Sequence, residues 1–167
     1  MGEFERRVAS YVGSKHAIAT VNGTAALHIT LKLAGVTSDT EVITQALTFV
    51  GTSNAISYCG ATPVYVDVDR DSLGMSPESL ETYLHDYCEV RDDGYCWNQE
   101  TNRIIRACLP MHVFGFPVDL TQIIRLCKQF NILLLEDAAE SLGSLYHEEY
   151  TGTFGTLSAL SFNGNKI

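Results

Sequence analysis

Apolar, β-favouring runs alternate along the chain with segments of helical periodicity. Strands are predicted at residues 17–21, 42–46, 63–68, 104–109, 132–135 and 157–162. Helices are predicted at residues 24–34, about 48–58, 77–87 and 120–130, and the chain opens in a helical pattern that carries Phe4, Val8 and Tyr11. Strands that are apolar on both faces and joined by helices predict a mostly parallel sheet in a three-layer α/β/α fold.

Residue types at the element ends support these boundaries. Ser76 before Pro77 is a hydroxyl N-cap followed by proline at the first helical position, Asp119 is a second cap, and Gly35 ends a helix. Residues 89–103 lose the apolar periodicity and concentrate polar and turn-forming side chains. We therefore predict a surface hairpin or loop there.

Composition excludes several classes of function. Lys and Arg number 11 against 20 Asp and Glu, so the net charge of −9 disfavours nucleic-acid partners. No apolar run approaches the roughly 20 residues of a membrane span, and the acidic N-terminus has no signal-peptide core, so we expect a cytoplasmic protein. Five cysteines without a C-x-x-C pair predict reduced, mostly buried thiols. They are Cys59, Cys88, Cys96, Cys108 and Cys127.

A candidate phosphate site follows the first predicted strand. Ligands of parallel sheets bind beyond the carboxyl ends of the strands. Asn22, Gly23, Thr24 and Ala25 form a glycine turn that opens a helix there. Free N–H groups, the positive end of the helix dipole and the Thr24 hydroxyl would suit a phosphate. A simple capped turn is the alternative.

A second candidate lies at the end of the apolar run ILLLE. At this position Asp137 or Glu136 could pair with a cationic ring nitrogen, bind a metal ion or orient a histidine. The alternative is that Asp137 only caps a helix. Glu140 follows three residues later, so a two-carboxylate metal site is conceivable. His112 and His147 are remote in sequence and belong to no ligand motif, so no metal ligand set is predicted.

Two further residues complete a pattern of cofactor chemistry. Lys166 follows a strand and a glycine turn, where an amine held away from water forms Schiff bases, although most lysines are simply solvated. Phe49 follows the second strand and is a ring-sized aromatic, or ordinary core. A phosphate cradle, a strand-end aspartate, an aromatic ring and a lysine together complement pyridoxal phosphate (PLP).

Nearly the whole chain resembles the PLP-dependent sugar aminotransferases of the DegT/DnrJ/EryC1/StrS family. The matching stretches are FERRVASYVGSKHAIATVNGTAALHITL, EVITQALTFVGTSNAI, ATPVYVDVD, PMHVFGFPVDL, EDAAESLGS and LSFNGNKI. The resemblance implies the large domain of the aspartate aminotransferase (type I) fold over residues 1–167. By this resemblance Lys166 forms the Schiff base, Asp137 pairs with the pyridine nitrogen and Phe49 stacks on the ring. The implied phosphate-binding residues are Thr24, Ala25 and Ser161.

The resemblance also narrows the reaction. Glu140 stands where many members carry Gln or His, and it is counted among the cofactor-binding residues. Glu140, the WNQETNR excursion and the SFNGNK ending make the chain similar to the branch of the family that makes 4-amino sugars for bacillosamine and legionaminic acid. The resemblance implies L-glutamate as the donor of the amino group and a UDP-linked 2-acetamido-4-keto-2,6-dideoxy hexose as the acceptor. It also implies a homodimer. Lys166 favours transamination, since the family's 3-dehydratases carry histidine there.

Two other interpretations stay open. Family members extend beyond both ends of this chain, with an N-terminal segment and a C-terminal small domain, so a fragment is expected. A truncated, catalytically inactive remnant of such an aminotransferase is therefore the alternative. A flavodoxin-like or nucleotide-binding α/β module remains only if the matches at Lys166 and Asp137 are accidental.

Overall fold

The computed structural model describes residues 2–166, in which helices and strands alternate. The helices are α1 (Gly2–Val12), α2 (Gly23–Leu33), α3 (Val50–Tyr58), α4 (Pro77–Tyr87) and α5 (Leu120–Gln129), with a 3₁₀ turn at Val113–Gly115. The strands are β1 (Thr40–Gln45), β2 (Thr62–Val66), β3 (Cys88–Val90), β4 (Cys96–Asn98), β5 (Arg103–Cys108), β6 (Leu133–Asp137), β7 (Leu145–Tyr146), β8 (Glu149–Tyr150) and β9 (Leu157–Ala159). None of the helices in this range has the length and apolar character that a bilayer crossing requires.

The main sheet is mostly parallel, as predicted. Strands β2, β1, β5, β6 and β9 pair in that order, each parallel to its neighbour. The predicted polar excursion is the hairpin β3–β4, which pairs antiparallel with the first half of β5, where Trp97 lies opposite Ile104. Strand β6 pairs with the second half of the same edge, where Ala107 lies opposite Leu133. One edge of β5 is therefore shared by two neighbours.

Helices cover both faces of the sheet and complete the three layers. On one face α2 and α3 pack over the sheet, and Leu31 is fully buried in a cluster that includes Leu135. On the other face α4 and α5 do the same, and Leu84 is fully buried in a cluster that includes Leu134. Consecutive residues of β6 thus face opposite layers, as the pleat of a strand requires.

Local capping chemistry confirms the predicted helix boundaries. The Ser76 side chain accepts a hydrogen bond from the Ser79 N–H (3.1 Å), and the Asp119 side chain accepts one from the Gln122 N–H (3.1 Å). Gly35 has a φ of 81° just after α2, a left-handed conformation that glycine adopts without strain. The predicted burial of the five cysteines is also confirmed.

The predicted strand at residues 17–21 is wrong. The segment forms no strand, and the side chains of Ile18 and Val21 are 80% and 87% exposed. A strand needs a neighbour to pair its N–H and C=O groups. None of the described strands provides one here, and the Ala19 N–H donates instead to the Glu5 carboxylate of α1 (2.8 Å).

The end of the described chain also differs from the prediction. Strand β9 stops at Ala159, so it is shorter than the predicted 157–162. Beyond it the chain runs without regular structure through Ser161 to a turn, where the Lys166 N–H donates to the Asn163 carbonyl (2.8 Å). This turn places Lys166 beside the end of β6.

Candidate active site

A cavity of about 1170 Å³ lies beside the start of α2 and the carboxyl ends of β6 and β9. Of the residues that the sequence singles out, the cavity lining includes Thr24, Phe49, Asp137, Ser161 and Lys166. Ala25 does not line it, and Glu140 reaches it only through contact with Lys166. The candidates from distant parts of the sequence are thus brought to one place.

Asp137 is a buried carboxylate at the end of β6. Its Oδ2 accepts a hydrogen bond from the Thr52 hydroxyl of α3 (2.6 Å), and its Oδ1 accepts one from the Ala139 N–H (3.2 Å). Burial raises the pKa of Asp137, although these hydrogen bonds oppose the rise. A cation in the cavity would favour the ionised form, so the environment of this carboxylate suits a positively charged partner.

The backbone of Asp137 is held on both sides. Its N–H donates to the Pro110 carbonyl (2.9 Å), and its carbonyl accepts from the His112 N–H (3.1 Å). The chain that leaves β5 therefore continues alongside the end of β6. These bonds fix where the carboxylate enters the cavity.

Lys166 is held by an acid and faces an aromatic ring. Its Nζ lies 2.6 Å from Glu140 Oε1 and 5.1 Å from the centre of the Phe49 ring. The other oxygen of Glu140 accepts from the Phe114 N–H (2.9 Å). Partial burial opposes ionisation of Glu140, but the hydrogen bonds from Lys166 and Phe114 outweigh it and lower its pKa. An ionised Glu140 therefore balances the charge of the lysine.

The start of α2 presents N–H groups to the cavity. Asn22 caps the helix, because its side-chain oxygen accepts from the Ala25 N–H (2.8 Å). Among the described residues, none accepts a hydrogen bond from the N–H of Gly23 or Thr24. A Cβ at Gly23 would lie 3.2 Å from the Cβ of Ser161, so glycine permits this close approach. The arrangement can accept an anion between the two segments.

Phe49 lies just before α3 and exposes its ring. Its N–H is directed at the sulfur of Met111 (3.4 Å), which fixes the backbone below the ring. A Cβ at Gly51 would lie 3.0 Å from the Phe49 ring and 3.0 Å from the Thr24 hydroxyl. Glycine is therefore needed where the ring and the hydroxyl converge.

The carboxylates of the conceivable metal site are engaged by donors of the protein. In the described part of the chain no group of three or more His, Cys, Asp or Glu side chains is arranged to hold a metal ion. Glu140 is engaged in its ion pair, and Glu136 faces away from Asp137 into a separate network. His112, remote in sequence, lies with its Nε2 only 3.1 Å from Glu136 Oε2, while His147 is exposed in the β7–β8 turn.

Sequence reasoning missed two polar residues that shape the site. Thr52 follows Phe49 by three residues, so a hydroxyl on the buried face of α3 was the available signal. Gln45 ends the apolar strand β1 and is fully buried. Its amide accepts from the N–H of Met75 (3.1 Å) and of Met111 (3.0 Å), and so fixes the segment under the aromatic ring.

Comparisons with known proteins agree with this architecture. The sequence model described as the DegT/DnrJ/EryC1/StrS aminotransferase family matches residues 1–167. GDP-perosamine synthase of Caulobacter vibrioides is 38% identical over 165 residues, which are 99% of this chain and 40% of that protein. EpsN of Bacillus subtilis, named as a pyridoxal phosphate-dependent aminotransferase, is 38% identical over 167 residues, which are 100% of this chain and 40% of that protein.

Solved structures resemble the whole described fold. A DegT DnrJ EryC1 StrS aminotransferase from Brucella abortus superposes with a TM-score of 0.87 at 31% identity, covering 99% of this chain and 42% of the other. DesI, solved in the presence of its TDP-sugar product, gives 0.81 at 30% identity, covering 99% and 37%. The chain spans about 40% of the length of the curated relatives that it matches.

Proposed function

This chain belongs to the DegT/DnrJ/EryC1/StrS aminotransferase family, and we propose that it is the PLP-binding large domain of a sugar aminotransferase. The proposed reaction moves an amino group from L-glutamate to a 4-keto-6-deoxy nucleotide sugar and gives a 4-amino sugar for surface glycans. The main support for this proposal is that Lys166 and the buried carboxylate of Asp137 line one cavity, with Phe49 beside them.

Each part of the cofactor has a matching group in this cavity. Asp137 would pair with the pyridine nitrogen. Burial raises the pKa of this carboxylate, and the positive charge of a protonated nitrogen would favour its ionised form. Phe49 would lie against the ring. The phosphate would bind at the start of α2, beside Thr24 and Ser161, where N–H groups are free among the described residues. Lys166 would bind the carbonyl carbon.

The roles of the protein groups follow from their contacts. When bound, PLP supplies an electron sink for negative charge on the carbon next to the transferred nitrogen. Asp137 would hold a proton on the ring nitrogen. Lys166 would move a proton between the Cα of the amino donor and the carbonyl carbon of the cofactor. Glu140 orients that amine, because its carboxylate already contacts Nζ.

The substrate class is supported by the relatives. GDP-perosamine synthase is named for a GDP-linked sugar and DesI was solved in the presence of its TDP-sugar product, so proteins similar to this chain differ in the nucleotide. We therefore propose a nucleotide sugar, and UDP-2-acetamido-2,6-dideoxy-hexos-4-ulose specifically from the resemblance to the 4-amino-sugar branch.

We also propose a cytoplasmic homodimer. Helices α2 and α3 expose the apolar side chains of Leu33, Val50 and Tyr58. Exposed apolar surface of this kind is typical of an interface.

Cofactor attachment is the first test. The purified chain is titrated with PLP, its visible absorbance recorded, and the product reduced with borohydride before mass analysis of peptides. We expect the cofactor on Lys166, retained in Lys128→Ala and lost in Lys166→Ala, since Lys128 is exposed on α5. A folded chain without the absorbance band, or with equal labelling at Lys128, would contradict the assignment.

Amino transfer is the second test. L-Glutamate is supplied with UDP-, GDP- and TDP-linked 4-keto-6-deoxy sugars, and the amino sugar is measured by mass. We expect transfer to the UDP sugar and none in Lys166→Ala. Cofactor fixed on Lys166 without transfer to any sugar would favour the alternative of a catalytically inactive remnant.

A further inference from the structure

Glu136 is a completely buried carboxylate that receives four hydrogen bonds. Its Oε1 accepts from the N–H of Phe154 (2.8 Å) and of Gly155 (2.6 Å). Its Oε2 accepts from the N–H of Gly152 (2.8 Å) and from His112 Nε2 (3.1 Å). Burial alone would raise the pKa of Glu136, but these donors outweigh it and the pKa is lowered. The ionised side chain is therefore favoured, enclosed by these donors.

His112 is a fixed donor to this anion. The ring is fully buried, and its Nδ1 accepts from the Val118 N–H (3.3 Å). This bond places the ring proton on Nε2, which faces Glu136. The His112 backbone N–H meanwhile donates to the Asp137 carbonyl, so one residue connects both acids of β6.

The segments joined by Glu136 are those that build the cavity. Gly152, Thr153 and Gly155 border the cavity, and this segment leads into β9, after which the chain reaches Ser161 and Lys166. His112 leads into the 3₁₀ turn, where the Phe114 N–H holds Glu140. Glu136 makes these contacts on the α4–α5 side of the sheet, since the residue after it in the strand faces α3.

We propose that Glu136 is a positioning residue of this site: it holds residues 152–155 and His112 together and so sets where Asp137 and Lys166 meet the cofactor. The effect on the cofactor rests on the proposed function. The restraint of residues 152–155 by Glu136 does not rest on the proposed function, because hydrogen exchange can measure it without any cofactor.

Glutamine is a sharp test because it has the same shape and the wrong hydrogen-bonding groups. In Glu136→Gln the new NH₂ must face N–H donors, either those of Phe154 and Gly155 or those of Gly152 and His112. His112 cannot compensate by moving its proton, since Nδ1 already faces an N–H. The exposed Glu149 of β8 is a matched control for loss of one acidic charge nearby.

Hydrogen exchange tests the loop without any cofactor. Mass spectrometry or NMR would follow the amides of residues 152–155 in the full chain. We expect these amides to exchange at least about tenfold faster in Glu136→Gln and at the wild-type rate in Glu149→Gln. Unchanged exchange in Glu136→Gln would overturn the proposal.

Cofactor binding tests the positioning role. We expect at least about a tenfold larger Kd for PLP in Glu136→Gln, with a shifted pH profile of the visible absorbance. Faster exchange with unchanged Kd and pH profile would overturn the positioning role. Absence of cofactor on Lys166 in the wild type would instead count against the proposed function and leave the exchange result standing.

A pair of histidine variants keeps the test valid if Glu136→Gln does not fold. His112→Gln retains a donor at the position of Nε2, whereas His112→Asn retains only a group at the position of Nδ1, facing Val118. We expect the Gln variant to keep the wild-type exchange rate and PLP affinity and the Asn variant to lose both. Equal behaviour of the two would contradict the proposed donor role of His112.

Discussion

Replacing Thr52 by valine removes one hydrogen-bond donor from Asp137 and keeps the shape of the side chain. Thr52 is fully buried, and its hydroxyl donates to Asp137 Oδ2 at 2.6 Å. A hydrogen bond to a charged group contributes about 1.5–3 kcal/mol. The Ala139 N–H would then remain as the donor to this carboxylate. We expect Thr52→Val to lower the free energy of unfolding by that amount where Asp137 is ionised, a factor of about 10 to 150 in the equilibrium.

The loss should depend on pH in a definite direction. Because burial raises the pKa of Asp137, the folded protein binds this proton more tightly than the unfolded chain does. Ionised Asp137 thus reduces stability above its folded pKa, and this penalty disappears as the pH falls toward the ordinary value of 3.8. Removing the Thr52 donor enlarges the penalty only while the carboxylate is ionised. The difference between Thr52→Val and wild type should therefore narrow in acid.

Urea unfolding followed by circular dichroism measures both effects, at about pH 7 and about pH 4. Thr52→Ser keeps a hydroxyl and should stay close to wild type. Thr48→Val removes the hydroxyl that donates to Thr52 and leaves the bond to Asp137 in place, so it should not acquire the same pH dependence. Equal losses in the Val and Ser variants, or a loss that is the same at both pH values, would refute the reasoning.

Two further predictions concern the cofactor. Gly23→Ala places a Cβ 3.2 Å from the Cβ of Ser161, so it should weaken binding of PLP. Binding of pyridoxal, which lacks the phosphate, should stay nearly unchanged. Equal weakening of both ligands in equilibrium titrations would argue against a phosphate site. Glu140→Gln removes the ion pair that holds the Lys166 amine, so the visible band should develop faster after mixing with PLP. A slower or unchanged stopped-flow rate would show that the ion pair does not restrain the lysine.

Elements that depend on local chemistry could be predicted from the sequence. The starts of α4 and α5 follow from Ser76 and Asp119, because each cap acts within three residues. The strand at residues 17–21 could not be judged in this way. Its composition favours extended backbone, but a strand forms only beside a partner, and local composition does not supply one.

The residues of the site also fall into those that could be predicted from the sequence and those that could not. Residues at the carboxyl ends of strands, such as Asp137, could be singled out because parallel topology brings these ends together. Thr52 and His112 could not, since their importance comes from contacts with acids 85 and 24 positions away in sequence. Neither belongs to a motif that the spacing of residue types reveals.

The sharing of the β5 edge has a consequence for folding accuracy. Successive residues of a strand point to opposite faces, so a slip of β6 by one residue toward the start of β5 would place Asp137 at the position of Glu136, among the donors, and Ala138 at the position of Asp137 in the cavity. The hairpin β3–β4 already occupies the first half of that edge and limits slippage of β6 in that direction. A polar excursion of the chain therefore helps to keep the carboxylate of Asp137 in the cavity.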